Sequence, residues 1–315
     1  MRRGQNHLYV QEQNVIGEMS LEFFELFQRI FLGNALIFKK TFHNVHAQFG
    51  DSWAAEFDLH LANLFARDEE AYKDAIRGYA KFAIDAMRLQ KLFNKKLRYE
   101  DCSYEEACEK VYMNQDYMMK LYLPGILVSH FLWRHHYRGF LYYKKNFLPL
   151  LDNATDKRFY EVGTGTGFYT VQVYRHDRNF LGYGIDISPY SRRFTSNHVK
   201  SWGFESSFTP MDLNIIDADL EPLPYVQTIE VLEHLSDPQL FLNRLRQLLR
   251  PAGYGFITAA LTAPEADHIY LYWTPDDVIK QLVSAGFKVL DYFQDEAYLG
   301  MPGEIVPKIA DFIVS

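Results

Sequence analysis

Cysteine is nearly absent: the chain has two, Cys102 and Cys108, in 315 residues. Neither stands in a C-x-x-C pair or at metal-ligand spacing to a histidine. That excludes a disulfide framework and a structural zinc site and points to a reducing compartment. Long apolar runs are missing too. The longest nearly uncharged stretch, residues 121–133, is interrupted by Pro124, Ser129 and His130 and is too short to span a bilayer. The start, Met1-Arg2-Arg3-Gly4-Gln5-Asn6-His7, is basic but has no apolar core behind it, so no secretory signal is expected. Basic charge is not in excess: 33 Lys and Arg against 40 Asp and Glu leave a net charge of −7. Such a chain has no overall field to gather a phosphate backbone, so nucleic acid is not an expected partner. No fixed-period repeat and no Pro/Gly-rich linker occur. What remains is a globular chain read as soluble and cytoplasmic, long enough for one large domain or two smaller ones.

Aromatic residues are abundant, with 25 Phe and 22 Tyr, and the first 145 positions are rich in them. Phe23, Phe24, Phe27, Ile30, Phe31, Leu36 and Phe38 fall mostly at helical spacing, with a break at Gly33-Asn34. Asp51-Ser52 followed by Glu56 reads as a capped helix start, a further helix is expected over residues 69–97, and Ser103 with Glu106 forms a capping-box pattern for a helix over residues 103–120. Residues 1–145 are therefore expected to be all helical. Near their end, residues 132–143 bring together His135, His136, Tyr137, Arg134 and Arg138. Adjacent histidines on a helix project about 100° apart and do not readily meet one metal, so none is expected there. A hydrogen-bonded core histidine is the plain reading of each; a substrate-facing His136 or Tyr137 is the alternative.

Residues 159–162 form a short apolar run that ends in Gly163-Thr164-Gly165-Thr166-Gly167 and then in a helix-forming pattern. Strand, turn and helix start follow one another, and glycine there lets a ligand approach the main chain. A second short strand, residues 180–185, ends at Asp186, nineteen positions beyond Gly167. An acid at that spacing can accept from both ribose hydroxyls of a nucleoside. The dinucleotide fingerprint would need glycine where Phe168 stands, and no P-loop pattern is present. A nucleoside without pyrophosphate fits better, and S-adenosylmethionine is one.

From about residue 147 onward the chain resembles a class I S-adenosylmethionine-dependent methyltransferase of the small-molecule branch that includes the ubiquinone and menaquinone methylating enzymes. The resemblance rests on Glu161 to Gly167, Gly184-Ile-Asp-Ile-Ser188, Met211-Asp212-Leu213, Ile229-Glu-Val-Leu-Glu-His-Leu-Ser-Asp-Pro238, residues 249–255, and residues 272–278 leading to 285–289. It implies an α/β fold: a Rossmann-like seven-stranded methyltransferase sheet over residues 146–315, with residues 1–145 as a helical lid that binds the acceptor. Strands four to seven would cover 225–231, 254–260, 287–293 and 308–314, the last antiparallel. In the pattern, Glu161 lies near the methionine amino group of S-adenosylmethionine, Gly163, Thr164, Gly165 and Gly167 pack under the ligand, and Asp186 holds the ribose. Ile187 covers an adenine face, Asp212 accepts from the adenine amino group with Leu213 beside it, and Glu230 sits near the methionine portion.

Methyl transfer asks the protein mainly for alignment and exclusion of water, with a base only if the acceptor must lose a proton. His234, His268 and His136 are the candidates for that base. Tyr169, Tyr190, Tyr270 and Tyr272, with Tyr137, are candidate pocket aromatics. The expected partner is a small-molecule acceptor, with no membrane and no metal; a homodimer is left open. Aminocarboxypropyl transfer or ring closure of S-adenosylmethionine on the same fold, and a non-catalytic binding subunit, are the alternatives.

Overall fold

The structure is a computed structural model that describes residues 21–100 and 103–315. The expectations for the basic start, for the helical pattern before residue 21 and for Cys102 lie outside the described residues. Among the described residues, no helix is long and apolar enough to cross a membrane.

The helical part is built from α1 (Glu22–Asn34), α2 (Lys39–Leu64), α3 (Glu69–Lys96), α4 (Leu123–Leu132) and α5 (Arg134–Tyr142). The break expected at Gly33-Asn34 is the end of α1. The start expected at Asp51-Ser52 falls directly after Gly50, whose φ 68° and ψ −156° divide α2 into two helical runs at a kink. Helix α3 is locally well specified. Asp68 caps it by accepting from the Glu70 and Ala71 amides, Glu69 and Glu70 face the positive end of the helix dipole, and Lys95 and Lys96 face the negative end. The single helix expected over residues 103–120 is a correction: the capping box at Ser103 forms, but the stretch breaks into short α and π turns separated near Met113-Asn114. Asn114 there caps a new turn by accepting from the Tyr117 amide, which ends the first run.

Phe24, Phe27, Phe31, Phe42, Trp53 and Phe57 pack ring against ring; Phe27 and Phe57 stand 4.9 Å apart edge to face. Trp53 donates its indole N–H to the Phe131 carbonyl at 3.0 Å, so the largest ring of this core leaves no polar atom unpaired. Where α3 crosses α4, Gly78 and Gly125 let the backbones touch, and a Cβ at Gly78 would collide with the Leu121 carbonyl. Gly78→Ala is therefore expected to lower stability by about 2 to 4 kcal/mol through forced separation of the two helices. A thermal melt within 1 °C of wild type would refute this close-contact role.

The second part holds β1 (Arg158–Val162), α6 (Phe168–His176), β2 (Leu181–Ile185), α7 (Pro189–Ser201), β3 (Phe208–Met211), β4 (Leu223–Thr228), α8 (Pro238–Leu248), β5 (Leu249–Leu261), α9 (Pro275–Ser284), β6 (Val289–Glu296) and β7 (Lys308–Val314). They form a seven-stranded sheet in the order β3-β2-β1-β4-β5-β7-β6. The first five strands are parallel, and β7 runs antiparallel between β5 and β6. This is the Rossmann-like methyltransferase sheet expected from the sequence. Strand β4 stops at Thr228, earlier than expected, because Glu230 adopts φ 51° and gives its amide to the side-chain hydroxyl of Thr258 on β5, at 2.8 Å, instead of to a main-chain carbonyl of that strand. Strand β6 begins at Val289 because the Phe287 amide closes the end of α9 on the Leu282 carbonyl.

The two parts share one interior: buried Phe24 and Phe57 belong to the same apolar cluster as Phe168, Phe256 and Ile313. Polar links cross the same boundary. Tyr143 donates to Gln227 at 2.8 Å, Gln90 to the Ile305 carbonyl at 2.8 Å, and Arg175 on α6 pairs with Glu56 on α2.

Candidate active site

A cavity of about 1140 Å³ opens at the carboxyl ends of β1, β2, β4 and β5 and is closed over by residues of α3, α4, α5 and the 104–122 segment. Ligands bind at this edge of open parallel sheets because the loops there diverge at the switch in strand order.

The floor is the glycine turn. Gly163, Gly165 and Gly167 all have positive φ, at 74°, 48° and 68°. A Cβ at Gly163 would strike Val231 and one at Gly167 would lie 2.7 Å from Thr195, so both are required by packing. Gly165 has nothing within 4 Å of that position, which leaves its face open for a ligand. Asp186 holds the turn in place: Oδ2 accepts from the Gly165 amide at 3.3 Å and the Thr164 hydroxyl at 3.4 Å, while Oδ1 accepts from the Ser188 amide at 2.8 Å. Burial raises its pKa above the usual carboxylate range, and those bonds together with Arg192 hold it back.

Glu161 is buried at the end of β1, accepting from the Thr170 hydroxyl and, at 2.8 Å, from the Gln227 amide. Burial lifts its pKa to about 7. Glu230 shares that value, again through burial, and its Oε1 lies 3.7 Å from His136 Nε2. His136 holds its other ring nitrogen 3.4 Å from the Ser129 hydroxyl, and burial depresses its pKa to about 3, so the ring is neutral at ordinary pH. His268 is likewise depressed to about 3, with Nδ1 2.5 Å from the Ala263 carbonyl. His234 Nδ1 lies 3.0 Å from the Tyr112 hydroxyl and 3.1 Å from the Asp267 carbonyl.

All three candidate bases line the cavity, together with Glu161, Gly163, Thr164, Gly165, Asp186, Ile187, Leu213, Glu230 and Tyr169. Gly167 and Asp212 do not. Gly167 turns the chain into α6, and Asp212 points to solvent, 77% exposed and paired with Arg192 at 2.8 Å. Four of the five pocket aromatics are also drawn elsewhere. Tyr137 packs on Phe49 and Phe131, Tyr190 joins the Met118–Leu123 cluster, and Tyr270 and Tyr272 are tied to Gln281 of α9 at 3.0 and 2.6 Å. Their physical reason is common: a buried phenol takes the nearest protein acceptor or apolar niche.

The fold also gathers residues that spacing alone does not reveal. Gln227 and Thr170 orient Glu161, Thr258 fixes Glu230, and Tyr112, Tyr122, Trp133 and Glu265 come to the cavity from separate elements. Only alternation within β4 could have pointed to Gln227, an inward polar residue in an apolar strand. Glu233 is fully buried, and neither carboxylate oxygen has a partner among the described residues. One ligand atom from each of Glu233, His234 and His268 lies within 4.8 Å of the others, a trio assembled only by folding.

Burial and the nearby Glu230 raise the Glu233 pKa well above the ordinary value. A folded-state pKa above the unfolded one means stability is full at acid pH and is lost as pH rises toward the folded value. Glu233→Gln, which removes the charge and keeps the shape, is therefore expected to melt close to wild type at pH 5 and a few degrees higher at pH 8, a gain of about 1 to 3 kcal/mol. A gap that does not change with pH would contradict it.

A model of the methyltransferase domain family matches residues 133–292, just over half of the chain. The protein belongs to that family. The seven-stranded sheet and the glycine turn at the end of β1 lie within or beside the matched residues. The chain is 24% identical over 102 residues to a ubiquinone biosynthesis O-methyltransferase of Coxiella burnetii, covering 32% of this chain and 43% of that one. It is 25% identical over 154 residues to one of Rhizobium etli, covering 42% and 61%. It thus spans less than two thirds of these curated relatives. Among solved structures it is similar to the N-methyltransferase NodS of Bradyrhizobium japonicum, with 19% identity, a TM-score of 0.44 and coverage of 57% and 87%.

The residues present fit S-adenosylmethionine, the cofactor expected from the sequence. Gly165 offers an uncovered main chain, Asp186 a carboxylate beside it, and Glu161 a buried acid at the next strand end.

Proposed function

We propose that this enzyme moves the methyl group of S-adenosylmethionine to a small-molecule acceptor of a biosynthetic pathway, bound in the part of the cavity between Glu230 and the helical wall. One observation carries the reading: a single cavity runs from the glycine turn to the His136–Glu230 pair and on to His234 and His268. The partial similarity to ubiquinone biosynthesis O-methyltransferases supports a biosynthetic acceptor.

Bound S-adenosylmethionine supplies an electrophilic methyl carbon on a sulfonium. Gly163, Thr164, Gly165, Asp186, Ile187 and Leu213 would hold its adenosine part, and Glu161 its amino acid part. Glu230 takes the acceptor's proton where one must be lost, because a carboxyl titrating at about 7 is both available and basic enough at neutral pH. Neutral His136 beside it is in place to relay that proton or to orient the acceptor. Residues 1–145 serve as the lid and acceptor-binding region, and the reaction runs in the cytoplasm.

The test is incubation with S-adenosylmethionine and a panel of small metabolites, read by mass spectrometry. A product 14 Da heavier than its acceptor, together with S-adenosylhomocysteine, is expected. Methylthioadenosine would replace this reading with aminocarboxypropyl transfer or cyclisation, and failure to bind S-adenosylmethionine would leave a non-catalytic subunit.

A further inference from the structure

Carboxyl groups that no protein cation balances gather around the inner end of the cavity, where Glu230 and Glu265 line it. Glu230 lies 3.7 Å from His136, the carboxylate oxygens of Glu233, which does not line the cavity, have no hydrogen-bond partner among the described residues, and Glu265 forms no ion pair among them. Burial is the main cause that raises the pKa of Glu233, Glu265 and Asp311, and neighbouring acids add to it: Glu230 and Asp267 for Glu233 and Glu265, and Glu230 for Asp311. Asp267 is the exception, because its Oδ2 accepts from Tyr112 at 3.1 Å and Tyr122 at 3.2 Å and lies 3.5 Å from His234. The lysines that reach the cavity are Lys91 and Lys95 on α3 and Lys308 on β7, the last paired with Glu296 at 3.1 Å; none pairs with these acids.

Aromatic faces border the same end. Phe82 stacks on Trp133 with centroids 5.0 Å apart, Tyr122 meets Phe82 edge to face at 6.2 Å, and Trp133 stands 5.0 Å from the His136 ring. All of these residues line the cavity. Carboxylates without a protein cation beside aromatic faces form a site for a cation clad in hydrocarbon.

We propose that the acceptor is an amine, bound as an alkylammonium ion with Glu230 and Glu265 for charge and Phe82, Tyr122 and Trp133 for its hydrocarbon. This rests on the methyl-transfer reading above and names its substrate class. The ammonium nitrogen gives a proton to the Glu230 carboxylate and becomes a neutral amine. Its lone pair then forms the new N–C bond to the methyl carbon. The C–S bond breaks with its electron pair going to sulfur, which loses its positive charge, and the N-methylated product leaves as an ammonium ion. Glu230 afterwards releases its proton to water.

Choline and its neutral carbon isostere 3,3-dimethylbutan-1-ol separate charge from shape, and choline's quaternary nitrogen has no proton to lose. Calorimetry at pH 7 in buffers of different ionisation heat is expected to show choline binding at least tenfold more tightly than the isostere, with proton release from the carboxyls. Glu265→Gln should weaken choline about tenfold and leave the isostere unchanged. Equal affinity of the two probes overturns the proposal, as does an unaltered choline affinity in E265Q. So does one divalent metal ion per purified chain, since that ion on Glu233, His234 and His268 would already balance the charge. Binding of S-adenosylmethionine is measured on the same samples. If it is retained while choline shows no preference, only the amine proposal falls; if it is absent, the methyl-transfer reading falls with it.

Discussion

Replacing Asp186 with alanine is expected to weaken S-adenosylmethionine binding by roughly 100-fold or more, the loss of two charge-assisted hydrogen bonds at about 1.5 to 3 kcal/mol each. The carboxylate has two tasks. It would accept from the ribose, and it already ties the Gly165 amide and the Thr164 hydroxyl into the turn. Alanine removes both. Asp186→Asn separates them, since its carbonyl oxygen can still accept from the turn while the charge is gone. Calorimetry should place Asn between Ala and wild type, with a melting temperature also between the two, because its amide nitrogen then faces the Ser188 N–H that the second carboxylate oxygen had bound. Wild-type affinity in the Asn variant would remove the carboxylate from the ligand and leave it a purely structural clasp.

Glu230→Gln is expected to lower turnover by roughly 10²- to 10⁴-fold, the usual range for a lost general base. The active form is the carboxylate, and burial places its pKa at about 7. The wild-type rate should therefore fall about tenfold per pH unit below 7 and level off above it, whereas the Gln variant should lose the break near 7. The family pattern gives this residue another role, beside the methionine portion. If that alone were true, the substitution would raise the dissociation constant for S-adenosylmethionine and leave the pH profile of turnover intact. Measuring both quantities on one variant decides between them.

The parts of the site that could be read in the sequence are those where the backbone dictates the residue. Gly163 and Gly167 are confined by Val231 and Thr195 at positive φ, and the Asp186 spacing follows from one helix and one strand of ordinary length. The sheet was equally open to reading, because buried parallel strands are short apolar runs. Side chains that reach the cavity from unrelated elements were not legible. Glu265, Tyr112 and Trp133 lie far apart in the chain, and no periodicity ties them together. Tyr270 and Tyr272 show the opposite failure: a loop near the right edge suggested pocket residues, but Gln281 of α9 holds both hydroxyls. The end of β4 was misplaced because left-handed φ at a glutamate has no sequence signature.

The shared aromatic interior also affects how the protein is made. Phe24, Phe27 and Phe57 leave the ribosome first, yet the cluster they belong to is completed by Phe256 and Ile313, near the other end of the described chain. At about 5 to 20 residues per second the helical part waits on the order of 10 to 60 seconds for its last partners. During that interval its phenylalanine faces are surfaces for chaperones or for other nascent chains. Yield in the cell should therefore respond to translation speed and chaperone supply more strongly than the finished protein's melting temperature would suggest.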